Sequence, residues 1–115
     1  MKSNKLILAR VLVEINKSLA ELRIVREKII RRIVLDSDQG SVLENMLRRT
    51  DRFILDLERL SERIQTILTL DTTLSRVAEI ADLRKYMRDL EKELRVFNSA
   101  SALGLKRALE ELDKL

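Results

Sequence analysis

The chain has 115 residues, 45% apolar and 37% charged, with 23 Lys and Arg against 19 Asp and Glu for a net charge of +4. That is one domain's worth of sequence, too apolar for a disordered tail and too evenly charged for a membrane span. His and Cys are both absent, which removes the imidazole base, the thiol nucleophile, disulfides and the usual zinc ligands, and leaves the redox compartment open. Pro and Trp are absent too, Gly occurs twice and aromatic residues make up 3%. An all-β fold needs that turn chemistry and those strand formers, so the expected class is all-α.

The first strong period runs Leu8, Leu12, Ile15, Leu19, Leu22, Arg26, Ile29, Ile33, alternating steps of four and three that mark a heptad seam. It predicts a first helix over about 4–35. The positive charge is concentrated there: residues 1–35 sum to +6, residues 36–70 to −2 and residues 71–115 to zero. Such placement points to an acidic partner, either anionic lipid headgroups or the acidic face of another protein. The candidate contact residues are Lys2, Lys5, Arg23, Arg26, Lys28, Arg31 and Arg32. The plainer alternative for this cluster is local, since cations favour a helix C-terminus and can pair with an acidic second helix. Nucleic acid is the weaker partner, because no aromatic side chain is interleaved for base stacking. Arg26 sits on the seam itself. Either its stem packs and its head reaches solvent, or it meets a carboxylate from another helix or subunit. Arg10–Glu14 and Lys17–Glu21 have the i,i+4 spacing of ion pairs on an exposed face.

Asp36-Ser37-Asp38-Gln39-Gly40 is the one concentrated turn segment. Its carboxylates hint at an EF-hand loop, but the Gly falls one place early and Leu47 stands where the closing Glu belongs, so a solvated turn is expected. Ser41-Val42-Leu43-Glu44 has capping-box spacing and predicts a second helix over about 41–70, with the seam Leu43, Met46, Thr50, Phe53, Leu57, Leu60, Ile64, Ile67. Two long amphipathic helices joined by a short turn form an antiparallel hairpin.

Beyond Ile67 the seam stutters. Asp71 takes its next position among Thr69, Thr72 and Thr73, residues that favour caps over helix interiors, yet no Gly or Pro forces a break. A third helix over about 72–97 carries Val77, Ile80, Leu83, Met87, Leu90, Leu94 and Phe97 on one stripe. It is either folded back on the hairpin or continuous with the second helix, in which case the rod would reach about 85 Å. Thr69, Asp71, Thr72 and Thr73 are therefore a candidate switch, with Leu83, Met87, Leu90 and Leu94 hidden in the closed form and offered to a neighbouring subunit in the open one. After the small-residue joint Asn98–Ser101, Leu105, Ala108, Leu109, Leu112 and Leu115 mark a fourth helix over about 101–115, with Gly104 weakening its first turns. So short a helix must dock to be stable.

A basic first helix, a long hairpin and a second helix able to fuse with a third resemble the core of ESCRT-III proteins, most of all the archaeal cell-division branch. Leu60-Ser61-Glu62-Arg63-Ile64-Gln65-Thr66-Ile67 is similar to the hydrophobic-x-x-Arg-hydrophobic-x-Thr-hydrophobic segment near the end of that family's hairpin. Leu74 to Ala81 and Leu83-Arg84-Lys85-Tyr86-Met87 resemble its next helix. The resemblance implies an ESCRT-III-like helical bundle. It also implies a non-enzymatic filament subunit, cytoplasmic and peripheral to the membrane, that polymerises with copies of itself or paralogous subunits on anionic membrane and remodels it in cell division or vesicle release. No cofactor, metal or catalytic residue is implied. Leu105, Leu109 and Leu112 loosely resemble the helix by which such proteins dock a AAA-type ATPase. Ala108 stands where that motif prefers Arg, and Asp113 where it prefers a basic residue. Two other classes remain open: a coiled-coil or four-helix adaptor forming a discrete oligomer with a protein partner, and an all-helical enzyme with an Arg-lined pocket similar to chorismate mutases. No nucleophile and base pair stands out to support the latter.

Overall fold

The computed structural model describes residues 4–69 and 73–115, with side chains throughout these except at 37 and 73–76. Lys2, Asp71 and Thr72 lie outside the described residues, as does the side chain of Thr73, and the capping expected of Asp71 and its Thr neighbours falls there as well. The chain folds as α1 (Asn4–Leu35), a short 3-10 turn (Ser37–Gln39), α2 (Gly40–Leu68), α3 (Thr73–Phe97) and α4 (Ser99–Leu112). No strand occurs among the described residues, and the fold is an all-α bundle. Arg26 meets Asp51, Phe53 meets Phe97, and Arg84 meets the Leu112 carbonyl. Each helix thus runs antiparallel to the one before it, an up-down-up-down arrangement. Helix α3 is folded back along α2 and not fused with it.

Helix α1 buries more than its single expected seam. Leu8, Ile15, Leu19, Leu22 and Ile29 are buried as the heptad requires, and so are Ile7, Val11 and Ser18 beside them. The wider stripe exists because α1 is flanked twice, by α2 on one side and α4 on the other. Helix α2 buries Leu43, Phe53, Ile54, Leu57, Leu60, Ile64 and Ile67. Thr50 is fully buried on the same seam, where its hydroxyl donates to the Met46 carbonyl at 2.8 Å and leaves no unpaired polar atom. Met46 and Val77, both placed on buried stripes by their spacing, are exposed. The inner stripe of α3 narrows to Leu83, Met87, Leu90 and Leu94.

The expected capping box at Ser41–Glu44 does not form. Gln39 is the N-cap of α2, without a side-chain hydrogen bond. The 3-10 turn feeds straight into α2, which puts Ser41 inside the first helical turn, where its backbone no longer has the extended geometry of a cap. Asn98 does cap α4: its Oδ1 accepts from the Ser101 N–H at 2.9 Å.

Gly104 has a role that its low helix propensity does not suggest. A Cβ added there would lie against the Glu14 carbonyl oxygen and 2.6 Å from Ser18 Oγ. The absent side chain lets the backbones of α4 and α1 pass in contact, and Ser18 Oγ accepts from the Leu105 N–H at 2.8 Å across that crossing. By contrast α2 and α3 stay further apart along their backbones.

The molecule measures 55 × 20 × 20 Å, with a radius of gyration of 16.1 Å, against about 13 Å for a compact domain of this length. The elongation has a simple cause. Helix α4 is 14 residues long and reaches only along the first half of α1, where Gly104 faces Glu14 and Ser18. Past the end of α3, where Phe97 meets Phe53 and Arg49, α1 continues with α2 as a two-helix arm in which Ile29 and Leu43 are buried outside the continuous core.

In an open helix, Gly→Ala stabilises by roughly 1 kcal/mol. At Gly104 the added methyl meets backbone atoms, and overpacking costs about 1–3 kcal/mol. Gly104→Ala is therefore expected to lower the melting temperature, and Gly104→Leu to lower it by about 5–15 °C. Thermal unfolding followed by circular dichroism checks this, and a stabilised Ala variant would mean that the crossing relaxes without cost.

Candidate functional site

The expected cationic cluster divides into two groups. Arg23 Nη2 lies 3.8 Å from Glu58 Oε1, and Arg26 Nε lies 2.6 Å from Asp51 Oδ1. These carboxylates belong to the net-negative middle third, which α2 places alongside α1. All four side chains are 42–60% exposed, so each pair contributes at most about 1 kcal/mol and acts mainly on register. For Arg26 the carboxylate alternative holds, with the carboxylate coming from its own chain. Lys28, Arg31 and Arg32 are exposed and make no ion pair among the described residues. Lys5 is exposed near the start of α1. Lys17 pairs with Glu14 at 3.0 Å and not with Glu21, and Arg10 stays apart from Glu14. Residues three and four apart are equally close on a helix surface, and here the i,i+3 contact is the one made.

A second heptad on α1 escapes notice in the sequence. Leu6, Arg10, Val13, Lys17, Ala20, Ile24, Lys28, Arg31 and Leu35 follow one another in steps of three or four, and all are exposed. Leu6, Val13 and Ile24 are about half exposed. The stripe alternates apolar side chains with four cations and contains no acid. It runs the length of a 32-residue helix, about 48 Å. The spacing was available to sequence reasoning, but the inner seam has the stronger apolar signal and the interleaved Lys and Arg look like an ordinary solvated face.

Beyond the stripe, the α1–α2 turn projects Val34, Leu35 and Val42, each more than 60% exposed. Asp36 and Asp38 lie in the same turn. Among the described residues no group of His, Cys, Asp or Glu is placed to hold a metal ion.

The residues proposed for assembly face inward. Leu83, Met87, Leu90 and Leu94 are buried in the core with Leu105 and Leu112, and Leu109 is half-buried against it. The fourth-helix leucines are thus packed within the bundle and unavailable to an ATPase in this form. Thr69 ends α2, its hydroxyl donating to the Thr66 carbonyl at 2.6 Å.

The wider spacing of α2 and α3 leaves an open groove of about 580 Å³ between Arg49, Arg52, Phe53 and Asp56 on α2 and Lys92, Glu93 and Val96 on α3. Phe53 of the groove lining meets Phe97 with ring centroids 5.3 Å apart, and the Arg49 guanidinium lies 4.7 Å over the Phe97 ring. Toward the other end of α3, Arg63 Nη2 reaches Glu79 Oε2 at 3.2 Å. Burial pushes the Tyr86 hydroxyl above the usual tyrosine value of 10.0, and the neighbouring Asp56 carboxylate pushes it further.

Because the folded value exceeds that of the unfolded chain, Tyr86 supports folding below about pH 10, and that support is lost as pH rises through the folded value. Asp56→Asn removes one of the three upward causes, leaving burial and the Glu93 carboxylate. It is expected to bring the Tyr86 pKa part of the way back toward 10.0 and to soften the alkaline loss. With a single Tyr and no Trp, ultraviolet titration of the phenolate reads this directly. An unchanged titration curve would leave burial and the Glu93 carboxylate as the causes.

Comparison of the chain with protein-family models, curated proteins and solved structures finds no match.

Proposed function

We propose that the chain is a non-enzymatic subunit that lies on anionic membrane along the outer face of α1 and self-assembles there, the role in cell division or vesicle release that its resemblance to ESCRT-III proteins implies. The observation that carries the reading is the exposed stripe from Leu6 to Arg31, in which apolar and cationic side chains share one straight helical face. A helix of that kind rests at the headgroup boundary, its apolar side chains entering the acyl region and its cations meeting lipid phosphates. Each well-placed cation contributes about 1 kcal/mol on an anionic surface. Arg10, Lys28 and Arg31 would supply the attraction, whereas Lys17 is paired with Glu14 and Arg23 and Arg26 are already engaged by α2 carboxylates. No helix among the described residues is long and apolar enough to cross a membrane, so attachment through this face would be peripheral, with the cytoplasmic leaflet as the expected site.

In the closed form the α3 stripe is spent on the bundle's own core. Opening to expose it, as the switch at Thr69–Thr73 would require, means withdrawing α4 from α1 first. ATPase docking through Leu105, Leu109 and Leu112 carries the same requirement. Assembly of the closed form must therefore use other surfaces. The heptad spacing of the outer stripe also favours a second reading, an adaptor whose α1 pairs with an acidic helix of another protein.

Sedimentation with vesicles tests the membrane reading. Binding is expected on phosphatidylserine-containing vesicles and not on pure phosphatidylcholine, falling steeply with salt. Lys28→Glu with Arg31→Glu should abolish it, while Arg23→Gln with Arg26→Gln should change it less than about threefold. Binding indifferent to salt and lipid charge would sink the reading. A fixed mass in light scattering at all concentrations would favour the adaptor.

A further inference from the structure

We infer that the α1–α2 turn of one copy docks in the α2–α3 groove of another, joining copies head to tail. The inference rests on the self-assembly proposed above and names its contact. Val34, Leu35 and Val42 are 78%, 84% and 62% exposed at the end of a two-helix arm that lies outside the continuous core. Among the described residues nothing covers them. A bilayer is the poorer occupant, because Asp36 and Asp38 lie in the same turn and an anionic surface repels carboxylates. The complementary surface offers apolar and cationic side chains, and the groove has both, with Asp56 and Glu93 beside them. Phe53 and Val96 give it apolar walls, and Arg52 on α2 and Lys92 on α3 both line it. Neither of these two cations makes an ion pair among the described residues.

The order of charges matches as well. Behind the turn carboxylates, one helical turn back, stand Arg31 and Arg32; beyond Arg52, one turn along α2, stands Asp56. A turn entering with Asp36 and Asp38 toward Arg52 and Lys92 therefore brings its own arginines toward the acidic end of the groove. At about 580 Å³ the groove has room for more than one aliphatic side chain. It exists because α2 and α3 are held apart along their backbones.

The turn cannot fill the groove of its own chain. Gly40 and Phe53 stand thirteen positions apart on continuous α2, about 20 Å of helix. The occupant is thus a second copy. Since the two surfaces differ, the contact is heterologous and leaves one turn and one groove free at the ends, the condition for open-ended growth.

Sedimentation velocity across a concentration series, with and without phosphatidylserine vesicles, tests the contact. The parent should grow in mass with concentration. The turn variant Leu35→Ser/Asp36→Lys/Asp38→Lys and the groove variant Arg52→Glu/Lys92→Glu alter exposed positions, and circular dichroism confirms that each is folded. Each alone should weaken association about tenfold or more. Mixed together, they should form a discrete two-chain species and nothing larger. Asp36→Lys/Asp38→Lys combined with Arg52→Glu/Lys92→Glu in one chain should restore growth. A turn variant that assembles like the parent overturns the inference alone. So does one that assembles normally but loses vesicle binding, which would assign the turn to the bilayer. A mixture that stays monomeric, or a charge exchange without rescue, shows that turn and groove are not partners. A parent that never grows overturns both this contact and the self-assembly reading.

Discussion

Where Gly104 of α4 crosses Ser18 of α1, two helix backbones come within side-chain distance of each other, and the rest of the bundle depends on that crossing. Helix α4 is too short to be stable in isolation. Its buried residues Ser101, Ala102, Leu105, Ala108 and Leu112 reach the core only because nothing projects from position 104 to hold the helix off. Once α4 is seated, its other flank receives α3, and α3 is thereby held back along α2. The Arg84 guanidinium, which donates to the Leu112 carbonyl at 3.2 Å and reaches Asp113 at 3.4 Å, ties the far end of this pair. Burial of Leu83, Met87, Leu90 and Leu94 follows from α4 being in place. A local hinge at the α2–α3 joint cannot by itself decide whether the third helix opens.

The same asymmetry organises the charge. Helix α1 has an inner face for the core, a flank along α2 where Arg23 and Arg26 meet carboxylates, and an outer face where cations alternate with apolar side chains. Charge excess in the first third of the chain is therefore not one patch. Part is consumed in setting register between two helices, and Arg10, Lys17, Lys28 and Arg31 are lined up on an exposed outer face of α1. Removing cations from the two groups should have unequal consequences for the same formal change in charge.

The all-α class and the inner seams were legible in the spacing, because a heptad of Leu and Ile has few other uses. Leu83, Met87, Leu90 and Leu94 read as one stripe and are buried as one. What spacing could not convey is which helix lies against which. Gly104 read as a weak point because propensity is a single-helix property, whereas its value here comes from a backbone eighty-six residues away in sequence, at Ser18. Ser41 read as a cap because its spacing to Glu44 fits the pattern, but a cap also needs an extended backbone before the helix, and the 3-10 turn denies it. The outer stripe of α1 was hidden for a third reason: its cations matched the expectation for a solvated face, so its periodicity went unread. Arg26 is intermediate, since its place on the seam signalled a partner while leaving two kinds open.

Because α4 stops short, the molecule is not equally stable along its length. Near Gly104 every helix is packed on two neighbours; in the arm, Ile29 and Leu43 are buried between two helices alone. Amide hydrogen exchange in such a molecule proceeds by separate openings, with the arm fraying at a fraction of the free energy that global unfolding requires. The arm is thus the compliant part of an otherwise stiff body. Load applied at the turn would be absorbed by bending or partial unwinding of α1 and α2 before the bundle was disturbed, and an array linked through its arms would accommodate changing curvature while its subunits kept their shape.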